Sequence, residues 1–330
     1  MIQYVVFSVV VMLMLALDLG VFNKKSHAVS SKEAITWSVV WISLAMCFSG
    51  FIYFTSGAES FAKFQSAYWI EKMLSVDNLF VMILIFGYFN VPDKYHHKVL
   101  FWGILGALVF RAIFIFGGVG LINLTYLPEM TLFGHLVKIN VLLVLFGLFL
   151  TYAGVKSAFV EDDDDDEKDF SKSPGAKFVK WLFPRVTEEF EGDKFFVKKK
   201  IGADKNLHSS TIKRFATPLL VVLGVIEFTD LLFAVDSIPA IFAIAPNEPF
   251  ILYSSNIFAI LGLRSLYFLL ANYITMFRYL KYGLAVILSF IGVKMLIAPF
   301  IHISSFVSLG IVLGCLVLST VLSVIIKEKE

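Results

Sequence analysis

Charge is scarce in this chain. Of its 330 residues only 16% are Asp, Glu, Lys or Arg, against about 25% in an ordinary soluble domain, and that deficit excludes a soluble enzyme. Cysteine is nearly absent: Cys47 and Cys315 each stand inside an apolar run, so neither a disulfide framework nor a thiolate metal centre is expected. The six His lie in or near polar connections, which argues against zinc. A formal net charge of +2 is too small to call for nucleic acid as a partner. The first apolar run has no basic segment before it and carries Asp18 near its end. A retained first span is therefore expected rather than a cleaved signal peptide, with the mature chain beginning at Met1.

What the chain has instead is apolar surface. Hydrophobic residues make up 58%, Phe alone accounts for 35 positions, and the mean hydropathy is +0.81. Runs of about 20 apolar residues cross a bilayer as helices, and nine such runs occur, near 2 to 22, 34 to 54, 68 to 89, 99 to 122, 131 to 155, 215 to 245, 250 to 272, 279 to 299 and 303 to 326. The expected fold class is all-α, a polytopic helical membrane protein with about nine transmembrane helices.

Loop charge orients these spans, because Lys and Arg are retained on the cytoplasmic side. One set of alternate loops holds 21 basic residues, twelve of them between Lys168 and Arg214; the other holds only Lys63. This places the N-terminus outside and the C-terminus in the cytoplasm. The polar stretch 157–213, with an acidic run at 161–167 and three lysines at 198–200, is expected to be a cytoplasmic charged loop. An acidic run of this kind is usually a solvated face, although it could gather cations. The rest of that loop, with Trp181, Phe183, Phe195 and Phe196, is expected either on the membrane surface or as a small folded element.

The loop divides two related halves. EKMLSVDNLFV from Glu71 matches DLLFAVDSIPA from Asp230; ILGALVFRAIF around Arg111 matches ILGLRSLYF around Arg264, two residues shorter; YAGVK ending at Lys156 matches FIGVK ending at Lys294. A repeat of three spans is odd, so the second copy must enter the membrane from the opposite side. Inverted repeats of this type usually relate two halves of a secondary transporter, with substrate at the midplane. The expected organisation is a two-helix region at 1–66, repeats at 67–156 and 214–300 flanking the loop, and a last helix with its tail at 301–330.

Carboxylates fall inside the spans. Asp77 lies twelve residues before Phe89 and Asp236 nine before Ala245, roughly mid-bilayer at about 1.5 Å per residue. Each intramembrane charge costs about 2.5 to 3.5 kcal/mol on insertion scales, so Glu71, Asp77, Glu227, Asp230 and Asp236 need compensation. Arg111 and Arg264, inside spans four and seven, offer internal salt bridges and a purely structural role. Five carboxylates nonetheless outnumber two arginines, and Lys72, which can also snorkel, does not close the gap. The excess is suited to a cation or to protons. Glu71, Ser75 and Asn78 share one helix face, as do Asp230, Ala234 and Ser237, with Asp77 and Asp236 about 100° round. Pro239 is expected to kink or unwind the helix near Asp236 and free the Val235 carbonyl, and Pro218 to tilt or divide an overlong span.

The candidate metal ligands, Glu71, Asp77, Asn78, Glu227, Asp230, Asp236 and Ser237, with Ser75, are all oxygen donors, which suit Mg, Ca and Mn rather than Zn or Cu. Met73 and Met82 could add a softer ligand, but more often such residues pack. Asp18, Glu59 and Asn256 are candidates to complete the site or line its access, and Lys156 and Lys294 are explained by snorkelling.

At these residues the chain resembles the TerC family of integral membrane proteins and its Alx-type members. LALDLGVFNK at 15–24, SGAESF at 56–61 with YWIEKMLSVDNLFV at 68–81, and EFTDLLFAVDSIPAIFA at 227–243 with SNIFAILGLRSLYFLL at 255–270 carry the resemblance. It implies manganese efflux through the acidic residues of the two repeats, on a helical fold related to the LysE superfamily. The expected activity is export of Mn²⁺, with Ca²⁺ as a second cargo, by alternating access in the inner membrane. No catalysis and no permanently bound cofactor are expected; the partners are the divalent cation and the bilayer, and a homo-oligomer is left open. The alternative is a membrane scaffold or metal-delivery subunit of a tellurite or stress-response complex whose charges are structural.

Overall fold

The computed structural model describes residues 2–22, 31–132, 135–159, 169–201, 211–272, 279–301 and 303–325. The side chains at 18–22, 77, 132, 135, 159, 200, 201, 211, 212, 235, 236 and 272 lie outside the described set. Helices dominate: α1 (Ile2–Phe22), α2 (Ser31–Tyr88), α3 (Asp93–Leu124), α4 (Val141–Phe159), α5 (Pro174–Leu182), α6 (Pro218–Phe242), α7 (Pro249–Leu261), α8 (Leu263–Asn272), α9 (Leu280–Ile297) and α10 (Ser305–Ile325). Two antiparallel hairpins interrupt them, β1 (Met130–Leu132) with β2 (His135–Val137), and β3 (Phe196–Ile201) with β4 (Thr211–Ala216).

Among the described residues, six helices are long and apolar enough to cross a membrane: α2, α3, α4, α6, α9 and α10. The pair α7 and α8, bent by 41° at Gly262, makes a seventh if it is one span. Two of the nine apolar runs join: α2 stays helical through 55–67, where a loop was expected. At about 1.5 Å per residue its 58 residues far exceed a hydrocarbon core of about 30 Å. The rod is broken at Gly57, whose φ of 86° is open to glycine and costly for a residue with a Cβ.

Three other boundaries differ from the apolar pattern. The start of the fifth run is the β1–β2 hairpin, and α4 begins only after Asn140, which accepts from the Leu143 amide at 3.0 Å while donating to the Ile122 carbonyl at 2.6 Å. One side chain thereby caps α4 and holds the end of α3. Pro218 does not divide its span but opens α6 as its first helical residue, the position where a missing N–H costs nothing. The unwinding expected at Pro239 is not seen; α6 continues to Phe242, so this proline sits in the last turn, where little helix remains to be kinked.

The tightest packing joins α4 to α9. A Cβ on Gly154 would meet Ser289 and the Ala285 carbonyl, and one on Gly292 would meet Thr151 and the Gly147 carbonyl. Gly147 also faces Leu296, so the two helices run antiparallel with backbones nearly touching, the use of small residues common between membrane helices. Elsewhere aromatic rings fill the bundle: Phe7 of α1 lies 5.9 Å from both Phe48 and Phe250, and Phe48 stacks on Phe258 at 4.6 Å.

Past the break at Gly57, Lys63 stands 2.8 Å from Glu59 and 2.6 Å from Glu248, tying the second limb of α2 to the turn before α7. Burial lowers the Lys63 pKa, but the hydrogen bonds and charges of Glu248 and Glu59 outweigh it and hold the ammonium above its ordinary 10.5. A raised folded value means that this stabilisation is complete below the ordinary value and fades as pH climbs through the folded one. Lys63→Met should therefore lower the thermal midpoint at neutral pH, by no more than about 1 kcal/mol, and the gap to wild type should shrink above pH 10.5. A gap unchanged at that pH would assign the effect to the lysine stem. On the α4–α9 seam, Gly154→Ala and Gly292→Ala should each cost about 1 to 3 kcal/mol in thermal stability of the purified protein. Gly117→Ala, with open space around it, should be neutral, and equal midpoints for all three would break the close approach.

Candidate ion site between the helices

A fully buried guanidinium forms the centre. Arg111 of α3 is 0% exposed, as is Glu71 of α2, and its Nη1 donates to Glu71 Oε1 in a short contact. The same nitrogen donates to Asn256 Oδ1 of α7 at 3.2 Å, and Nη2 donates to Asp230 Oδ1 of α6 at 3.4 Å. Asn256 Nδ2 closes the ring by donating to Glu71 Oε2 at 2.9 Å, and Asn78 Nδ2 donates to Asp230 Oδ1 at 3.3 Å. Ser75 Oγ stands 3.5 Å from Glu71 Oε1. Four helices thus place their polar residues on one point, α2 through the 71, 75 and 78 face that i, i+4, i+7 spacing dictates.

The formal charges in this ring do not cancel. Two carboxylates share one guanidinium, and a third lies close: Glu227, one turn before Asp230, rests against Gly106 of α3, with Oε2 buried and lacking a hydrogen-bond partner among the described residues. Ser237 Oγ is likewise buried without a partner among the described residues. Unpartnered buried oxygens are costly, and each such group in a folded protein calls for an explanation. Arg264 and Asp230 line a cavity of about 20 Å³ together with Leu79, Met82 and Ile260, room for one water-sized occupant.

Of the residues singled out from sequence, Glu71, Ser75, Asn78, Arg111, Asp230 and Asn256 come together, Glu227 and Arg264 border them, and Ser237 lies further along α6. The side chains of Asp18, Asp77 and Asp236 lie outside the described residues. Among the described residues no group of three or more His, Cys, Asp or Glu is close enough to hold a metal ion; the arginine occupies the space between Glu71 and Asp230. Asn256, a lesser candidate by sequence, is a full member of the ring. Lys72 departs from the expectation. It does not snorkel but is buried, with Nζ donating to the Ala259 carbonyl at 3.2 Å, beside Gly262 where α7 gives way to α8. The glycine within ILGLR was the only signal of that break.

Fold and site define the chain as a helical integral membrane protein with an ionic network buried among its spans. Residues 56–330 match the profile of the integral membrane protein TerC family, and the chain belongs to that family. It is 42% identical over 335 residues to a Salmonella typhi protein named "Putative membrane-bound redox modulator Alx", covering 98% of this chain and 94% of that one. The Escherichia coli (strain K12) protein of the same name is also 42% identical, over the same shares. A Rickettsia bellii membrane protein is 40% identical over 328 residues, 99% of this chain and 98% of its own. No solved structure matches.

If Arg111 holds Glu71 and Asp230, its removal leaves buried carboxylates uncompensated, a loss of about 3 to 5 kcal/mol. Arg111→Gln should therefore reduce folded yield sharply, and Glu71→Gln in the same chain should restore part of it. Additive losses in the double variant would mean that the two side chains do not interact.

Proposed function

We propose that this chain is a secondary transporter that exports Mn²⁺, with Ca²⁺ as a second cargo, from the cytoplasm by alternating access. It has no enzymatic role in this reading, lies in the inner membrane, and holds its N-terminus outside and its C-terminus in the cytoplasm. The observation that carries the reading is the Glu71–Arg111–Asp230 network, in which acidic residues from two sequence-related helices meet on one cation inside the membrane.

The finer architecture follows the same reading. The two limbs of α2 counted separately, α1, and α7 with α8 as one broken span bring the crossings to nine. The α4–α9 seam supports an inverted repeat of three-helix units: Gly154 and Gly292 end corresponding segments, and each meets the partners that correspond to the other's, Ser289 and Ala285 against Thr151 and Gly147. A two-fold axis in the membrane plane passing between the helices would generate that reciprocity.

Chemically, a divalent ion entering this network finds an all-oxygen environment of carboxylates, the Asn78 and Asn256 amides and the Ser75 and Ser237 hydroxyls, suited to Mn²⁺ or Ca²⁺. Arg111 competes with it for Glu71 and Asp230. The cation and the guanidinium cannot both be held tightly by the same two carboxylates, so loading the site loosens Arg111 and with it the tie between α2, α3 and α6. A ligand that changes which helices are tied shifts the balance between two arrangements of the bundle. Asp77 and Asp236 complete the acidic set, with protons taken up by the carboxylates as the cation leaves.

The test is Mn²⁺ efflux from loaded vesicles. Asp77→Asn and Asp236→Asn keep side-chain shape, so folded protein should persist while flux falls at least about tenfold, since a dehydrated divalent ion needs anionic oxygen. Asp163→Asn in the acidic run should transport as wild type. Full flux in either membrane variant removes that residue from the site. A wild-type protein that is well folded and moves no Mn²⁺ favours the scaffold reading.

A further inference from the structure

The segment that crosses from the acidic run to α6 carries a face that nothing in the ion site uses. It opens with a latch: Asp169 accepts from Tyr88 Oη at 2.6 Å at the last residue of α2, and Phe170 packs edge-on against the same ring at 5.4 Å. Lys172, Ser171 and Tyr88 hold the Asp169 carboxyl well below the usual range, so the latch stays charged at any physiological pH. Ser173 then caps α5 by accepting from the Ala176 amide at 3.2 Å, with Pro174 at the first helical position.

The eight residues of α5 after Pro174 divide into three sectors. At about 100° per residue, Gly175, Ala176 and Val179 point one way, Lys177 and Lys180 point about 120° round, and Phe178, Trp181 and Leu182 fill the remaining third. The first sector is buried against α6: a Cβ on Gly175 would strike the Gly224 backbone, and Gly224 faces Val179. The other two are open. Phe178, Trp181 and Leu182 are 58%, 76% and 52% exposed, their two rings 6.1 Å apart, and both lysines are exposed. From Phe170 to Thr187 there are four basic residues and no acidic one.

Position identifies the partner. Gly224 is six residues into α6, about 9 Å from its start, and Trp102, which meets Phe195 of the same loop at 6.4 Å, is nine residues into α3, about 14 Å from its start. Tyr88 ends α2. All three lie toward the ends of helices long and apolar enough to cross a membrane, near the level where headgroups would give way to acyl chains. Aromatic rings there enter the interface while lysines reach phosphates, and a basic cluster beside a span favours anionic lipid.

We propose that α5 is an interfacial lipid-binding helix, with Phe178, Trp181 and Leu182 in the acyl boundary and Lys177 and Lys180 on the headgroups of anionic phospholipid. Which leaflet it occupies follows the orientation proposed above; the contact itself does not depend on transport. Docked through Gly175 and Gly224, the helix connects the composition of one leaflet to α6, the helix that bears Glu227 and Asp230.

The test uses the full chain reconstituted into vesicles of brominated-acyl phosphatidylcholine, alone or mixed equally with brominated phosphatidylglycerol. The chain has five Trp, so the fluorescence of Trp181 is isolated as wild type minus Trp181→Phe. Bromine should quench it in both membranes and about twofold more with phosphatidylglycerol present, and Lys177→Gln with Lys180→Gln should remove that excess while leaving the zwitterionic level. Quenching equal in both membranes would overturn the headgroup part of the proposal. No quenching in either would overturn all of it, placing the face in water or under protein. Neither result bears on Mn²⁺ flux, so the two readings fail separately.

Discussion

A guanidinium buried between two carboxylates is the constraint on which this bundle turns. Intramembrane charges cost a few kcal/mol each on insertion scales, and the chain buries Arg111 and Glu71 completely and Asp230 almost so. The penalty is met only if three helices bring them within hydrogen-bond reach at once, with Asn256 from a fourth and Asn78 from α2 filling the remaining donor and acceptor positions. Ordinary apolar packing in lipid has no comparable demand for register, because a leucine is as well solvated by lipid tails as by another helix. Much of the specificity that aligns α2, α3, α6 and α7 therefore comes from five polar side chains.

Close backbone approach serves the same end from another place. On the α4–α9 seam glycines let two helices touch, so that contact is made of short-range dispersion and has no charge to rearrange. The bundle has one junction held by close packing and another held by ions. In a protein that must change shape around a fixed point, the first would be the pivot and the second the latch. The break at Gly262, with Lys72 donating to the Ala259 carbonyl, fits the latch side: the bend frees carbonyls at the end of α7, and a buried ammonium occupies one of them.

Charge and hydropathy made the membrane class, most spans and the converging residues legible, because the cost of a carboxylate in lipid is large and its position on a 3.6-residue helix is fixed by spacing. Glu71, Asn78, Arg111 and Asp230 could be chosen on that ground alone. Helix ends were not legible in the same way. Hydropathy measures where lipid is favourable, whereas a helix persists wherever backbone bonds and caps support it, so α2 runs on through polar 55–67 and α4 waits for the Asn140 cap. Pro218 and Pro239 were both read as interruptions; each sits within a turn of a helix end, where the missing N–H and the ring clash matter little. The place of Lys72 was hidden because its partner is a main-chain carbonyl on a helix nearly two hundred positions away, and main-chain carbonyls leave no trace in a side-chain pattern.

The proposed repeat makes that lysine more than a detail. Gly106 and Gly262 occupy the same place in the ILG segments of the two halves, and each has a charged side chain against it: Glu227 lies on Gly106, while the Lys72 ammonium lies beside Gly262. Neither the backbone nor the sign of the charge is shared, since Gly106 lies within the continuous helix α3 and Gly262 at the break between α7 and α8. Two conformations related by exchanging the roles of the halves would be equal in energy only if their electrostatics were equal too. Under the proposed alternating access, one exchange would move an acid and the other a base relative to the Arg111 network, and the two faces of the bundle would differ in energy. A cation added between Glu71 and Asp230 would be drawn toward the Glu227 side and repelled from the Lys72 side. In the proposed transporter that asymmetry would bias the resting arrangement of the bundle, while the direction of net transport would follow the gradients across the membrane.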